Sequence, residues 1–132
     1  MSEKESAPDV GRVAWVDLTV ADAEKVKDFY GEVVGWKNEA VDMGEYSDFS
    51  MLPPGSSDAV AGVCHARGTN KELPPVWMIY ILVADLDHSL ERCLALGGKV
   101  RLQPKQMGGS GRYCVIEDPA GAVAALFEPK RD

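Results

Sequence analysis

Val20-Ala21-Asp22 returns as Val83-Ala84-Asp85. The same step of 63 residues carries Ala59-Val60-Ala61 onto Ala122-Val123-Ala124 and Gly35 onto Gly98. A step that survives from the start of one half to its end means that little was inserted or lost between two copies of one unit. Duplicated units fold as equivalent halves, so each position n can be compared with n+63 without any other sequence in hand.

Working outward from the first of these stretches, residues 12–20 alternate as a strand. Val13, Trp15, Asp17 and Thr19 lie on one face, and Ala14, Val16, Leu18 and Val20 on the other. Asp22 is placed to cap a helix, since a short carboxylate accepts from the unpaired N–H groups of a first turn. Val26, Phe29, Tyr30, Val33 and Val34 then recur at helical spacing, and Gly35 closes the helix. Strands are expected at 36–41, 46–52 and 59–66, with Pro53-Pro54-Gly55-Ser56-Ser57-Asp58 as the turn before the last. Residues 68–75 read as a linker, and the order repeats. A strand spans 77–83, Asp85 caps a helix carrying Leu86, Leu90, Cys93 and Leu94, and Gly97-Gly98 ends it. Strands follow at 99–103, 112–117 and 122–128, with Asp118-Pro119-Ala120-Gly121 as the turn before the last. Each half is β-α-β-β-β. The expected organisation is a tail over 1–10, a first module over 11–67, the linker, and a second module over 76–129.

Composition narrows what such a chain can do. At 132 residues it is sized for one domain with a real core. Hydrophobic residues make up 45% and charged residues 27%, a globular balance. Fourteen basic residues against twenty-one acidic ones leave a net charge of −7. That argues against nucleic acid as a partner, because binding a phosphate backbone needs a basic face. No apolar run is long enough to span a bilayer, so no membrane partner is expected. The first nine residues have no signal-peptide core. Cys64, Cys93 and Cys114 are odd in number and lack metal-type or redox-type spacing, which reads as free thiols in a reducing cytoplasm.

Taken together, the motifs resemble the vicinal oxygen chelate superfamily, the glyoxalase, bleomycin-resistance and extradiol-dioxygenase group. The first half carries the resemblance in Leu18-Thr19-Val20-Ala21-Asp22, Phe29-Tyr30 and Val34-Gly35-Trp36. The second carries it in Val83-Ala84-Asp85-Leu86-Asp87, Leu96-Gly97-Gly98, Gly111-Arg112, Asp118-Pro119-Ala120-Gly121 and Leu126-Phe127-Glu128-Pro129. It covers about Gly11 to Pro129, and rests on the order, spacing and duplication of these motifs rather than on any one of them. The resemblance implies an α+β fold of two tandem βαβββ modules whose strands form an open, cup-shaped mixed sheet around a small-molecule site. It also implies pairing as a homodimer.

Where this family holds a metal, the resemblance places the ligands on the first and last strand of each module. On this chain those positions become Trp15 and Met78, and His65 and Glu128, each pair separated by the repeat step. Tryptophan cannot ligate, and a thioether is a soft ligand that a divalent ion held by oxygen and nitrogen does not favour. A catalytic zinc site wants three protein ligands and an open position. The expectation is therefore an incomplete site and no metal cofactor. The alternative takes Asp17, two residues along the face of Trp15, together with His65 and Glu128, as a ligand set for Zn, Mn, Fe or Ni.

The remaining candidates follow from side-chain chemistry. Trp15, Asp17, Met78 and Tyr80 are expected to line the cup, an aromatic and Met-bearing wall suited to a flat or apolar organic ligand. His65 and Glu128 are expected to face each other inside it as a proton-transfer pair. Arg112 either meets an anionic group or makes a surface ion pair. His88 reads as solvated. Gly108-Gly109-Ser110-Gly111 precedes a strand rather than a helix, so it lacks the dipole of a phosphate loop and reads as a rim loop. No serine or cysteine has a histidine at motif spacing, which leaves covalent catalysis unsupported. Two classes of function stay open. One is a metal-independent small-molecule binder of the resistance type. The other is a lyase, isomerase or dioxygenase using a divalent ion or the His65–Glu128 pair.

Overall fold

A computed structural model describes residues 9–130. The expected tail over 1–10 lies almost entirely outside the described residues. Eight strands and two helices run in the order expected: β1 (Val13–Val20), α1 (Ala23–Val34), β2 (Lys37–Asp42), β3 (Ser47–Leu52), β4 (Ala61–His65), β5 (Trp77–Leu82), α2 (Leu86–Ala95), β6 (Lys99–Gln106), β7 (Gly111–Glu117) and β8 (Val123–Pro129). The class is α+β. A 3-10 turn at Gly68–Asn70 lies between the halves.

The chain groups into two compact units. One is Trp15–Trp77; the other joins the residues from Met78 onward to those up to Ala14. The second unit gains its N-terminal piece through the backbone. Gly11 N–H donates to Leu82 O, and Leu82 N–H donates to Arg12 O.

The Trp15–Trp77 unit has four strands in the order β2-β3-β4-β1. β1 and β4 run parallel, and the other neighbours antiparallel. Asp22 caps α1 by accepting from Lys25 N–H, and Gly35 closes it at φ 89°, a left-handed conformation that a Cβ disfavours. α1 packs its Ala23, Val26 and Tyr30 stripe on a core of Phe49, Met51 and Val63, with Val20, Trp36 and Trp77 around it. The packing stripe is narrower than the sequence periodicity suggests. Phe29, Val33 and Val34 stay exposed: Phe29 lies roughly 90° round the helix from the middle of the stripe set by Ala23, Val26 and Tyr30, and Val33 and Val34 stand in the last turn.

The other unit repeats this plan. Its order is β5-β8-β7-β6, with β5 and β8 parallel. Asp85 caps α2 by accepting from His88 N–H. Leu86 and Leu90 pack on Cys114 and Leu126, flanked by Ile81, Val83, Val100 and Ile116. Leu94, expected on the buried stripe, is exposed. β6 runs three residues beyond its expected end, and its pairing with β7 slips twice, between Val100 and Leu102 and between Leu102 and Lys105. Bulges of this kind let a strand carry a residue such as Pro104, which has no N–H to give.

Candidate functional site

Strand alternation decides which side chains can act together. In a parallel pair, opposed residues point to the same face, and a shift of one residue reverses the face. In the Trp15–Trp77 unit, Asp17 is opposite Gly62, Thr19 opposite Cys64, and Val20 opposite His65. Gly62 is in turn opposite Ser50, and Val63 opposite Phe49. The face turned away from α1 therefore holds Trp15, Asp17, Thr19, Gly62, Cys64, Ser50 and, one pair further along β3, Asp48. His65 shares its face with Val63 and Phe49, the residues that pack on the helix.

This corrects the expected position of His65. Its ring sits 5.4 Å from that of Tyr46 and 6.3 Å from that of Phe49. Its N–H donates to Asp48 Oδ1 at 2.8 Å, and its Nδ1 lies 3.4 Å from the same oxygen. Arg67 covers the Tyr46 ring at 4.2 Å. Asp17 and His65 stand on opposite faces of one sheet, so these two do not act together as ligands of one ion.

Glu128 needs the same correction. Tyr80 is opposite Ala125 and Leu82 opposite Phe127. Glu128 thus shares the face of Leu126, on the helix side. There its Oε1 accepts from Leu86 N–H, at the first turn of α2, at 2.8 Å and from Arg112 Nη2 at 2.9 Å. Arg112 also reaches Asp87 Oδ2 at 3.3 Å, and these bonds, first the one to Glu128, raise the guanidinium pKa. A carboxylate on the N–H groups of a first turn complements the helix dipole, so Glu128 acts as a cap delivered from a neighbouring strand. Arg112 forms an ion pair with it. An open cleft of about 560 Å³ lies alongside, lined by residues including Asp85, Asp87, Gly108, Gly109, Arg112 and Lys130. Its arginine is already balanced by two carboxylates. The Gly108–Gly111 loop is a tight turn, tied by Ser110 N–H to Met107 O and by Lys130 N–H to Ser110 O. His88 is exposed and 3.8 Å from Glu91.

The polar chemistry lies elsewhere, on the face of β1, β4 and β3 away from α1. Trp15 Nε1–H donates to Asp17 Oδ1. The carboxylate lies over Gly62, where a Cβ would collide with Asp17 Oδ1. Next to them, burial raises the pKa of the Cys64 thiol, and the charges of Asp17 and Asp48, with a hydrogen bond to Asp48, raise it further. Cys64 is thus a neutral thiol at neutral pH. A thiol in that state is a poor nucleophile and a poor metal ligand.

The corresponding face of the other unit is largely aromatic and aliphatic. Met78, Tyr80, Ala125, Tyr113 and Val115 are buried, and the two tyrosine rings lie 6.1 Å apart. Matching ladder positions gives Asp17 against Tyr80, Gly62 against Ala125, Cys64 against Phe127, Asp48 against Tyr113 and Ser50 against Val115. Among the described residues, no group of three or more His, Cys, Asp or Glu side chains gathers as a metal site requires. The sequence pairs Trp15 with Asp17 and Met78 with Tyr80, and the structure keeps each pair on one strand face. Asp48, Gly62, Cys64, Tyr113 and Phe127 share these faces without having been singled out in the sequence. Choosing the face of β4 opposite Ala61, Val63 and His65 would have found Gly62 and Cys64.

Two βαβββ units with parallel first and last strands and a helix on one face define the class. Residues 12–126 match the Glyoxalase/Bleomycin resistance protein/Dioxygenase superfamily, and the chain belongs to it. It is 30% identical over 122 residues to the "Putative glyoxylase CFP32" of Mycobacterium tuberculosis, covering 92% of this chain and 47% of that one. It is also 30% identical over 132 residues to the anthracycline biosynthesis protein DnrV of Streptomyces peucetius, covering 89% and 46%. The chain spans about half the length of these curated relatives. The crystal structure of methylmalonyl-CoA epimerase from Mycobacterium tuberculosis has the same fold at a TM-score of 0.54, with 20% identity over 95% of this chain and 93% of that one. Among the described residues, no helix is long and apolar enough to cross a membrane.

Proposed function

We propose that this chain binds a small, largely aromatic organic molecule bearing a hydrogen-bond donor. The donor is read by Asp17 and the ring rests near Trp15, without a complete metal site. The observation that carries this reading is the half-buried Trp15–Asp17 pair on a strand face that no helix of its own unit covers. Indole and carboxylate together offer an apolar surface beside an acceptor, the combination that fixes both affinity and orientation in small-molecule sites. Tyr80, Tyr113 and Phe127 make the equivalent face of the second unit an aromatic one without a carboxylate at these positions. The names of the relatives, one a glyoxylase and one a protein of anthracycline biosynthesis, fit a handler of small organic molecules.

The absence of a complete metal site is supported by residue type. The positions that share the relevant faces of β1, β4, β5 and β8 include Trp15, Gly62, Met78 and Ala125. Gly62 and Ala125 have no donor atom, Trp15 cannot ligate, and Met78 offers only a soft thioether.

Binding of 1-naphthol, 1-aminonaphthalene and naphthalene, followed by tryptophan fluorescence and calorimetry, tests the reading. The two donor-bearing probes bind more tightly than naphthalene. Asp17→Asn weakens them about tenfold or more, the loss of a hydrogen bond to a charged group, and leaves naphthalene unchanged. Equal affinity of all three probes, or no effect of Asp17→Asn, contradicts it. Stoichiometric transition metal retained through dialysis and lost in Asp17→Asn would contradict the metal-free part.

A further inference from the structure

Gly62 does not need to be glycine for its backbone, since its φ is outside the left-handed region. It lies in the interior of β4, where glycine weakens a strand and usually marks a close approach by another group. The group approaching here is the Asp17 carboxylate, and the indole nitrogen of Trp15 is 3.5 Å from where a Cβ would stand. The second unit supplies an internal control. Its ladder position is Ala125, fully buried, and the residue opposite is Tyr80 instead of a carboxylate. The Cβ is present where no carboxylate lies across the strand and missing where one does.

We propose that Gly62 is the positioning residue of the ligand site. By leaving the surface of β4 bare, it lets the Asp17 carboxylate lie flat across the strand within reach of the Trp15 indole. That fixes the direction from which a ligand hydroxyl or amine is accepted. The inference rests on the proposed function for its ligand, but its geometric core does not. A carboxylate accepts at about four lone-pair positions, so one oriented by an indole N–H presents its oxygens in a defined direction. A carboxylate pushed off β4 by a methyl group loses both the indole bond and that direction. Any larger residue at position 62 then turns a site selective for donor-bearing ligands into one that reads shape alone.

The test uses the full chain and two readouts. In the first, the Trp15 indole N–H resonance, assigned with Trp15→Phe, is followed by two-dimensional NMR at pH 7. Asp17→Asn is expected to shift it upfield, since a neutral acceptor draws less on the indole N–H than a carboxylate does. Gly62→Ala is expected to shift it upfield as well, with the Trp36 and Trp77 resonances unmoved. An unchanged Trp15 resonance in Gly62→Ala overturns the inference, whatever any ligand does. Thermal unfolding covers the case in which Gly62→Ala folds poorly. Asp17→Ala empties the space, so Gly62→Ala is expected to lower Tm in the wild-type background and to have almost no effect in the Asp17→Ala background. An equal loss in both backgrounds overturns it.

The second readout is binding of 1-naphthol and naphthalene. Gly62→Ala is expected to weaken 1-naphthol about tenfold, as Asp17→Asn does, and to leave naphthalene unchanged. If the NMR result holds but neither probe binds the wild type, the positioning role stands and the proposed ligand class falls. If 1-naphthol binds Gly62→Ala as tightly as the wild type, the ligand-directing role of Gly62 falls.

Discussion

The two units share a plan down to the capping aspartates, and differ most on the strand face that their own helix leaves bare. In Trp15–Trp77 that face carries Asp17, Asp48, Cys64 and Ser50 around Gly62. In the other unit the same ladder positions carry Tyr80, Tyr113, Phe127 and Val115 around Ala125. The helix-facing side reverses the pattern. It is closed by an aromatic cluster of Tyr30, Trp36 and Trp77 in the first unit and by the Glu128–Arg112–Asp87 ion cluster over the start of α2 in the second. Duplication supplied two copies of one scaffold, and divergence put the polar chemistry on the bare face of one copy and on the helix side of the other. Charge alone is therefore a poor guide to the working surface. The face that carries a charged group matters more than the group itself.

Exchanging residues between equivalent positions is the sharpest way to break this comparison. Val115 is fully buried, and its counterpart Ser50 is half-buried. Val115→Asp should cost about 3–5 kcal/mol in urea unfolding, since it buries a carboxylate with no partner. Ser50→Val should change stability by about 0.5 kcal/mol in either direction. Similar costs at both positions would mean that the two faces are not as different as described.

A smaller effect is expected on the helix side. Glu128→Ala removes the acceptor of the Leu86 N–H and should cost about 1 kcal/mol, as the loss of a helix cap does. It should leave the affinity for 1-naphthol unchanged. A loss of binding comparable to that of Asp17→Asn would return Glu128 to the site.

The thiols add a pH dependence that is seen only in alkaline solution. Burial pushes the Cys114 thiol up to about 11 from an ordinary 9.0, and Cys64 is raised as well. The unfolded chain releases these protons near pH 9 while the folded chain keeps them. Stability is therefore full below pH 9 and falls as pH rises from 9 toward 11. Cys114→Ala should make the fall shallower. Asp17→Asn should do so too, by removing one of the charges that raise Cys64. A stability curve flat across this range contradicts both assignments.

Much of the fold was legible because the signals that define it are local and occur twice. The aspartate before each helix, the glycine after α1 and the alternation in β1 each follow from backbone geometry. The repeat then fixed the pairing of positions such as Trp15 with Met78. What misled was choosing the last-strand residues by their ability to bind a metal. His65 and Glu128 are separated by the repeat step, as equivalent residues should be, but equivalence is not orientation. Alternation has a period of two, and both residues fall on the odd step from Gly62 and Ala125. Gly62 passed unnoticed because a glycine offers no chemistry of its own, and its importance appears only once the carboxylate across the strand is in view. Phe29 and Val33 show the converse limit. Helical periodicity marks an apolar stripe, but the width of that stripe in contact with the sheet is set by packing.

Chemical-shift mapping of a bound donor-bearing aromatic locates the ligand site. With 1-naphthol added to isotope-labelled protein, the largest shifts are expected on the Trp15 indole and on the backbone amides of Asp17, Gly62 and Cys64. The amides of Leu86, Asp87 and Arg112 should stay unmoved. Shifts concentrated at the start of α2 and the Gly108–Gly111 turn, with the Trp15 indole unmoved, would contradict this and place the site in the cleft beside Arg112.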